Sequence, residues 1–206
     1  MASIQAKSVH LRGGACHVRS AVEADAAALL DLQNHVVATD PHTVREPGEQ
    51  QRTLEEQTAW VRAMLAAPAH LLLVAAEGGE PVPPGRALIL GALSFRNGDR
   101  RKVAHHGHFG IGVRAEHRGR GVGSALIGAL LDWAAEGPIL EKICLGTLAT
   151  NTGAQRLYQR MGFVEESRSP RYFKLGPGKY VDDIQMAMYV KPGIAPAGFN
   201  TWRGVQ

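Results

Sequence analysis

The chain holds 206 residues, of which 45% are hydrophobic and 20% charged, a composition that supports one globular domain with a sizeable core. Its net charge of +4 is enough to steer an anionic ligand but too small for a nucleic-acid-binding surface. The longest apolar runs fall far short of the roughly 20 residues of a membrane-spanning helix, and the N-terminal residues lack the apolar run of a secretory signal. We therefore expect a cytoplasmic protein. In that compartment Cys16 and Cys144 are expected to stay reduced and buried.

The first half of the chain predicts a short strand followed by two helices. Ser20 and Glu23 form the pattern of a capping box at the start of the first helix. Thr53 and Glu56 repeat that pattern before the second helix. The segment 41–52 between the helices is polar and contains proline and glycine, so we predict a loop that borders a substrate site.

From residue 71 onward the periodicity becomes that of strands. Two apolar strands flank a glycine- and proline-rich turn at 78–85, and a third strand is predicted at 103–113. The glycines of this third strand indicate a bulge or a close approach of its backbone to another group. A basic cluster lies just before this strand and consists of Arg96, Arg100, Arg101 and Lys102. We predict that it belongs to a solvated turn. The alternative is that it contacts the phosphates of a cofactor.

The remaining elements predict a mixed sheet. A helix, a strand and a second helix follow between residues 121 and 161, Gly162 ends the last helix, and a hairpin turns at 176–178. A strand-helix-strand unit demands a parallel pair inside an otherwise antiparallel sheet. We therefore predict an α+β fold with about seven strands and four helices, in one domain over 15–190 between a loosely ordered leader (1–14) and a tail (191–206).

One short motif leads from a strand into a helix, with the sequence Arg-Gly-Arg-Gly-Val-Gly at 118–123. Glycines at a helix start let successive N–H groups point outward at an anion, aided by the helix dipole. The motif lacks the Gly-Lys-Ser/Thr ending of a nucleotide-hydrolysing loop, and the preceding elements do not fit a dinucleotide-binding fold. A helix that simply begins after a glycine-rich turn is the alternative, but three glycines and two arginines within six residues favour a pyrophosphate site.

The chain resembles the GNAT superfamily of N-acetyltransferases over most of its length, from about His17 to Val190. The family motif, Arg or Gln, two residues, Gly, one residue, then Gly or Ala, is matched by Arg118, Gly121 and Gly123. A second signature, an Asn, a short helix with Leu-Tyr and then Gly-Phe, is matched by these residues: Asn151, Leu157, Tyr158, Gly162 and Phe163. The final strands resemble the branch that contains polyamine and ribosomal-protein N-terminal acetyltransferases.

The resemblance implies acetyl-CoA as the cofactor and assigns residues to it. In the family the strand before the loop splays from its neighbour and pairs with the pantetheine arm, and here its backbone would be that of Ile111, Gly112 and Val113. The pyrophosphate would bind at the loop entry and the helix start, to which these residues belong: Arg118, Gly119, Arg120, Gly121, Val122, Gly123 and Ser124. Asn151 would contact the cofactor arm, and an ordinary helix-capping role is compatible with that.

Acyl transfer to an amine needs a neutral amine, a stabilised oxyanion and a proton for the departing thiolate. By resemblance Tyr158 is the general acid, and a positioned tyrosine hydroxyl can donate to sulfur. The alternative, a core aromatic on the helix stripe with Ala154 and Met161, would be favoured by periodicity alone. The surrounding Asn and Gly-Phe context favours the catalytic role.

The general base is left open by the sequence, because the strand at 103–113 contains no carboxylate. His106 and His108 share one face of that strand and are the candidate bases, against the alternative of structural histidines. A zinc site from His105 and His108 is not expected. Glu77, at the end of a strand, is a further candidate.

We therefore predict an N-acetyltransferase that moves an acetyl group from acetyl-CoA to a primary amine of a small molecule or a peptide N-terminus by direct attack on the thioester. The alternative is a non-catalytic coenzyme A-binding sensor or regulatory module. Asp182 and Asp183 are candidates for contact with a cationic acceptor, but solvated charges in a turn are the default expectation for them. We expect no metal, no nucleic acid and no membrane partner, and the resemblance adds a homodimer as an expectation.

Overall fold

The computed structural model describes residues 2–49, 51–79 and 83–204, and within them the chain forms eight strands and four α-helices. The strands are β1 (Lys7–Leu11), β2 (Gly14–Ser20), β3 (Leu71–Glu77), β4 (Ile89–Asn97), β5 (His106–Val113), β6 (Lys142–Leu148), β7 (Val164–Gly176) and β8 (Lys179–Tyr189). The helices are α1 (Ala26–Thr39), α2 (Leu54–Ala66), α3 (Val122–Glu136) and α4 (Thr152–Arg160), with short 3-10 turns at Glu23–Asp25 and Ala115–His117. No described helix is long and apolar enough to cross a membrane. Part of the predicted turn at 78–85 lies outside the described residues.

The chain divides into two compact units, which we call unit 1 and unit 2. Unit 1 comprises the chain up to Arg96 together with Gly110–Leu130, and unit 2 comprises Asn97–Phe109 and the chain from Leu131 onward. In unit 1 the strand order is β1-β2-β3-β4 and then the end of β5, and in unit 2 it is the start of β5, then β6, β8 and β7. The assignment of residues 15–190 to one domain stays a prediction.

The pairing of the strands confirms the predicted fold class. The pairs β1–β2, β2–β3, β3–β4, β6–β8 and β7–β8 are antiparallel. The β5–β6 pair is parallel, and its register runs from His106 opposite Lys142 to His108 opposite Cys144. The parallel pair arises because α3 carries the chain back over the sheet between β5 and β6.

The core of unit 1 forms where α1 and α2 pack on the sheet. Apolar side chains of both helices and of β3 and β4 are almost fully buried in it: Leu29, Leu32, Val61, Met64, Leu72, Val74 and Ile89. Helix α2 starts at the predicted capping box, since the Thr53 hydroxyl accepts from the Glu56 amide at 3.2 Å and the Glu56 carboxylate accepts from the Thr53 amide at 2.8 Å. Local sequence therefore sets where α2 begins.

The predicted capping box before the first helix is wrong. The Glu23 carboxylate instead pairs with Arg62 on α2 at 2.6 Å. Asp25, which is completely buried, accepts from the Val22 amide at 2.9 Å and from both terminal nitrogens of Arg19 at 2.7 and 2.8 Å. Burial by itself would raise the pKa of Asp25, but the bonds from Arg19 and Val22 outweigh it and hold this pKa below its usual value.

We expect Asp25→Ala to lower the free energy of unfolding by roughly 3 kcal/mol, because it leaves the Arg19 guanidinium in a nearly buried place without its counter-ion. Urea unfolding at neutral pH measures the loss. Glu23→Ala is the matched control in the same short helix, since its pair with Arg62 is exposed and is expected to contribute little. Equal losses in the two variants would contradict a dominant role for the buried pair.

The leader differs from the expectation of loose order. Residues Lys7–Leu11 form β1, which pairs with β2 so that Val9 lies opposite Cys16. Without β1, the edge of β2 would leave backbone N–H and C=O groups unpaired, and β1 satisfies them. The weak alternation of the leader does not reveal this pairing. The third predicted strand also begins later than expected, at His106 rather than at residue 103.

The tail is likewise attached to unit 2. The indole N–H of Trp202 donates to the Asp132 carboxylate at 3.0 Å, and Tyr189 forms a parallel bridge with Thr201. Both contacts hold the described part of the tail against the end of β8 and the middle of α3, where the sequence predicted no fixed structure.

Both cysteines are buried and free, as predicted. Burial raises the pKa of the Cys16 thiol and raises the pKa of Cys144 to about 11. Both thiols therefore stay protonated at neutral pH, which makes them poor nucleophiles and poor metal ligands.

Candidate active site

The glycine-rich loop leads directly into α3, as the sequence predicted. Gly119 (φ +70°) and Gly121 (φ +106°) adopt left-handed backbone conformations that other residues rarely occupy. The first hydrogen bond into the helix runs from the Ala125 amide to the Gly121 carbonyl at 3.0 Å. Within the described residues, the N–H groups of 119–124 have no hydrogen-bonded acceptor, so the start of α3 presents a run of donors to an anion.

The side chain of Arg120 braces this loop against the β1–β2 turn. Its guanidinium donates to the carbonyls of Arg12 at 2.9 Å and Gly13 at 2.5 Å and lies 3.0 Å from Nδ1 of His117. The Arg12 amide in turn donates to the Arg120 carbonyl at 3.0 Å. These hydrogen bonds hold the loop backbone in place, and the contact of Arg120 with a pyrophosphate that the resemblance implies stays a prediction.

Two further arginines fix the end of β5. Arg118 donates from Nε to the Val113 carbonyl at 3.1 Å, and its terminal nitrogen lies 3.3 Å from the Asp40 carboxylate. Arg114 is buried and pairs with Asp31 on α1. No pattern in the sequence pointed to Arg114, because its partner lies more than 80 residues away.

The end of β5 also borders a cavity of about 430 Å³ in unit 1. A Cβ added at Gly112 would come within 3.3 Å of Val36 on α1, so this backbone passes close to the helix. Side chains of α1 and α2, the sheet and the loop after α1 complete the wall: Leu29, Leu32, Gln33, Val36, Val37, Thr43, Val44, Arg45, Gln57, Trp60, Leu72, Ala92 and Ser94, with the backbone of Gly110, Ile111 and Gly112. The cavity has the size and largely apolar lining of a small-molecule site.

Asn151 and Tyr158 lie together on α4 in unit 2. The Asn151 carboxamide oxygen accepts from the Ala154 amide at 3.2 Å and caps the helix. Tyr158 is buried, with 7% of its surface exposed, and packs edge-to-face against Phe109 at 6.1 Å between ring centroids. Phe163 closes the cluster at 5.8 Å from Phe109, so the tyrosine ring is held in one orientation.

Comparison with known proteins settles the family. The sequence model of the Acetyltransferase (GNAT) family matches residues 33–163, which is more than half of the chain. The chain belongs to the GNAT acetyltransferase family. This confirms the prediction of an enzyme that transfers an acyl group to nitrogen.

Three known acyltransferases show how far the likeness extends. The chain is 29% identical to the L-amino acid N-acyltransferase MnaT of Escherichia coli over 75% of this chain and 83% of MnaT. A GNAT acetyltransferase structure from Streptococcus pneumoniae superposes with a TM-score of 0.75 at 26% identity, over 84% of this chain and 98% of that one. A GNAT phosphinothricin acetyltransferase from Sinorhizobium meliloti, solved in complex with acetyl-CoA, superposes with a TM-score of 0.71 at 18% identity, over 89% and 95% of the two chains.

In this GNAT enzyme both signature motifs lie where the sequence predicted: one at the start of α3, and the other from the cap of α4 to just beyond its end. Arg118, Gly121 and Gly123 open α3, and Asn151 caps α4. Gly162 (φ +94°) follows α4 in a left-handed conformation, and the Phe163 amide donates to the Tyr158 carbonyl at 2.9 Å. The motifs therefore shape the backbone locally, whatever contacts they make with a ligand.

The candidate bases of this enzyme lie at the start of β5. The ring of His106 lies 4.9 Å from that of His105 and 6.2 Å from that of His108, and its Nδ1 is buried without a hydrogen-bond partner. Burial lowers the pKa of His106, and the nearby charges of His105, His108 and Lys142 lower it further. Its imidazole is therefore neutral at pH 7, the form in which it could accept a proton.

Because the pKa of His106 is lowered in the folded protein, we expect the free energy of unfolding to fall as the pH drops through about 6.5. In that range His106 binds a proton in the unfolded chain but stays neutral in the folded protein. Urea unfolding at several pH values measures the slope, and His106→Gln is expected to reduce it. His10→Gln, an exposed histidine on β1, is the matched control. A pH slope unchanged in His106→Gln would refute this assignment.

The other candidate groups are engaged elsewhere or isolated. Glu77 is exposed at the end of β3. Asp182 accepts from the Arg171 amide at 2.9 Å and lies 3.3 Å from Arg168, so its charge is already compensated. Asp183 is buried and accepts from the Gln185 carboxamide at 2.6 Å. Across the part of the chain that the structure describes, no group of three or more His, Cys, Asp or Glu side chains is placed to hold a metal ion.

Proposed function

We propose that the protein is an acetyl-CoA-dependent N-acetyltransferase that acetylates the primary amine of a small molecule. The observation that carries the proposal is the run of unpaired N–H groups at 119–124, where a diphosphate would complete the hydrogen bonding of the start of α3. The relative MnaT is named an L-amino acid N-acyltransferase, which favours a small-molecule acceptor over a peptide N-terminus.

The residues around the loop fit coenzyme A on two further counts. A Cβ at Gly119 would meet nothing within 4 Å, so the loop borders open space at this residue. The backbone of Ile111, Gly112 and Val113 is only half-buried at the end of β5 and can pair with an amide-bearing arm such as pantetheine. When bound, acetyl-CoA supplies the activated thioester carbonyl.

Tyr158 is our candidate for the general acid. Its ring is fixed by Phe109 and Phe163, and a tyrosine hydroxyl, which has a reference pKa near 10, can donate a proton to a departing thiolate. Asn151, two turns earlier on α4, would contact the cofactor arm while it caps the helix.

His106 or His108 would accept the proton that the amine loses. Both rings lie on one face of β5, and His106 is held neutral by its burial and by the neighbouring cations. The Lys142–Glu166 ion pair beside His106 keeps the positive charge of Lys142 in place.

The proposed function is tested by incubating the purified protein with acetyl-CoA and a panel of primary amines, with free coenzyme A and the acetylated product measured separately. Turnover with at least one small amine is expected. Binding of coenzyme A without turnover of any amine would favour a non-catalytic sensor. A protein that neither binds coenzyme A nor releases it would refute the proposal.

A further inference from the structure

One arginine lines the cavity in unit 1, and two more lie next to its wall at Trp60. Arg45 is part of its wall, and the guanidinium carbon of Arg52 lies 5.0 Å from the ring centroid of Trp60, which also lines it. Arg96 lies over the same ring at 5.9 Å. We call Arg45, Arg52 and Arg96 the arginine cluster.

The three charges of the arginine cluster act on one another. Burial lowers the pKa of Arg52, and the charges of Arg45 and Arg96 lower it further, while the carboxylate of Glu56 opposes the shift. A group of like charges around a half-buried guanidinium raises the free energy of the empty site. An anion that binds among them relieves that repulsion.

Arg52 is also held in a fixed position. Its Nη1 donates to the Oε1 of Gln57 at 3.1 Å, and Gln57 has only 1% of its surface exposed while it lines the cavity. The guanidinium also lies over the ring of Trp60, a cation–π contact that helps to hold it. A guanidinium has five N–H donors, so one bond to Gln57 leaves the forked geometry that suits a carboxylate.

The strand β4 connects the arginine cluster to the rest of the cavity. Ala92 and Ser94 line the cavity, and Arg96 follows at the next position on the same face of the strand. On the side of α1 the wall is apolar and is formed by Leu29, Leu32 and Val36. The cavity therefore joins an anion-attracting end, an apolar side and, along β5, the backbone proposed to carry the cofactor arm.

We propose that the arginine cluster is a carboxylate subsite, and that the acceptor is a free α-amino acid whose apolar side chain lies against α1. The inference rests on the proposed function and names the substrate class of that site. A polyamine would be repelled by three guanidinium groups, and a peptide N-terminus carries no carboxylate next to its amine. The likeness to polyamine and ribosomal-protein acetyltransferases therefore does not extend to the acceptor.

The test compares L-leucine with L-leucinamide, in which a neutral amide replaces the carboxylate, and it compares the effect of each variant on one substrate with its effect on the other. We expect Arg52→Gln to raise KM for L-leucine by about 30-fold, the effect of losing a charge-assisted hydrogen bond, and to change KM for L-leucinamide and for acetyl-CoA by less than about 2-fold. Arg45→Gln and Arg96→Gln are expected to act in the same direction. Arg62→Gln, on the same helix as Trp60 but paired with Glu23, is the matched control with no expected effect.

A direct binding measurement separates this inference from the proposed function. Calorimetric titration of L-leucine into protein saturated with coenzyme A is expected to show binding that Arg52→Gln weakens and Arg62→Gln does not. Turnover of L-leucinamide as good as that of L-leucine, with equal effects of Arg52→Gln on both, would overturn the carboxylate subsite and leave the acetyltransferase intact. Absence of L-leucine binding to the coenzyme A complex would also overturn it.

Discussion

Gly121→Val is expected to weaken coenzyme A binding by at least about 100-fold, since two or more hydrogen bonds to a charged diphosphate are lost, each worth about 1.5–3 kcal/mol. Gly121 has φ +106°, which a β-branched residue does not adopt without strain, so the loop must change its course. The amides at 119–124 then no longer converge. Titration calorimetry with coenzyme A measures the loss.

The control for this variant must carry the same backbone strain elsewhere. Gly193→Val places valine at φ +80° in the tail, where a new Cβ meets nothing within 4 Å. We expect it to lose some stability and to keep its affinity for coenzyme A. If Gly121→Val binds coenzyme A as tightly as the unmodified protein, the diphosphate does not lie on these amides, and the proposed cofactor site is wrong.

Tyr158→Phe is expected to lower kcat by roughly 100- to 1,000-fold, within the range that general acid catalysis contributes. The variant keeps the ring that packs against Phe109 and Phe163, so the fold and KM for acetyl-CoA should change little. Steady-state kinetics with acetyl-CoA and a good amine acceptor measure the effect.

Tyr172→Phe is the matched control, because it removes the same hydroxyl from a side chain that is 66% exposed on β7. We expect its kcat to be unchanged. A kcat of Tyr158→Phe equal to that of the unmodified enzyme would show that another group protonates the leaving thiolate, and a loss matched by unfolding of the variant would assign Tyr158 to packing alone.

Much of the fold and part of the candidate site were accessible from local sequence. Thr53 and Glu56 sit three residues apart, and the hydrogen bonds of that capping box form within one turn, so no distant residue can override them easily. The Asn151 cap and the left-handed Gly162 are of the same kind. The box predicted from Ser20 and Glu23 failed because Arg19 is close enough to hold Asp25, and a buried ion pair outweighs an exposed cap.

The contacts that the sequence did not reveal join residues far apart in the chain. Arg120 is bonded to the β1–β2 turn more than 100 residues earlier, in a leader for which no order was predicted. Arg96 was interpreted as part of a solvated turn with its neighbours at 100–102, whereas its guanidinium lies over Trp60. In both cases the packing of distant segments against one another decides which side chains meet, and local sequence does not specify that packing.

The sequence by itself determined the family, the order of helices and strands from β2 onward and the start of α3, because glycine spacing, capping residues and hydrophobic period act over a few residues. The tertiary structure alone decided which charges meet: Asp25 with Arg19, Arg120 with the β1–β2 turn, and the arginine cluster around Trp60. The reason is physical, since an electrostatic or hydrogen-bonding partner is selected by distance in space, and that distance is set by the packing of the whole core.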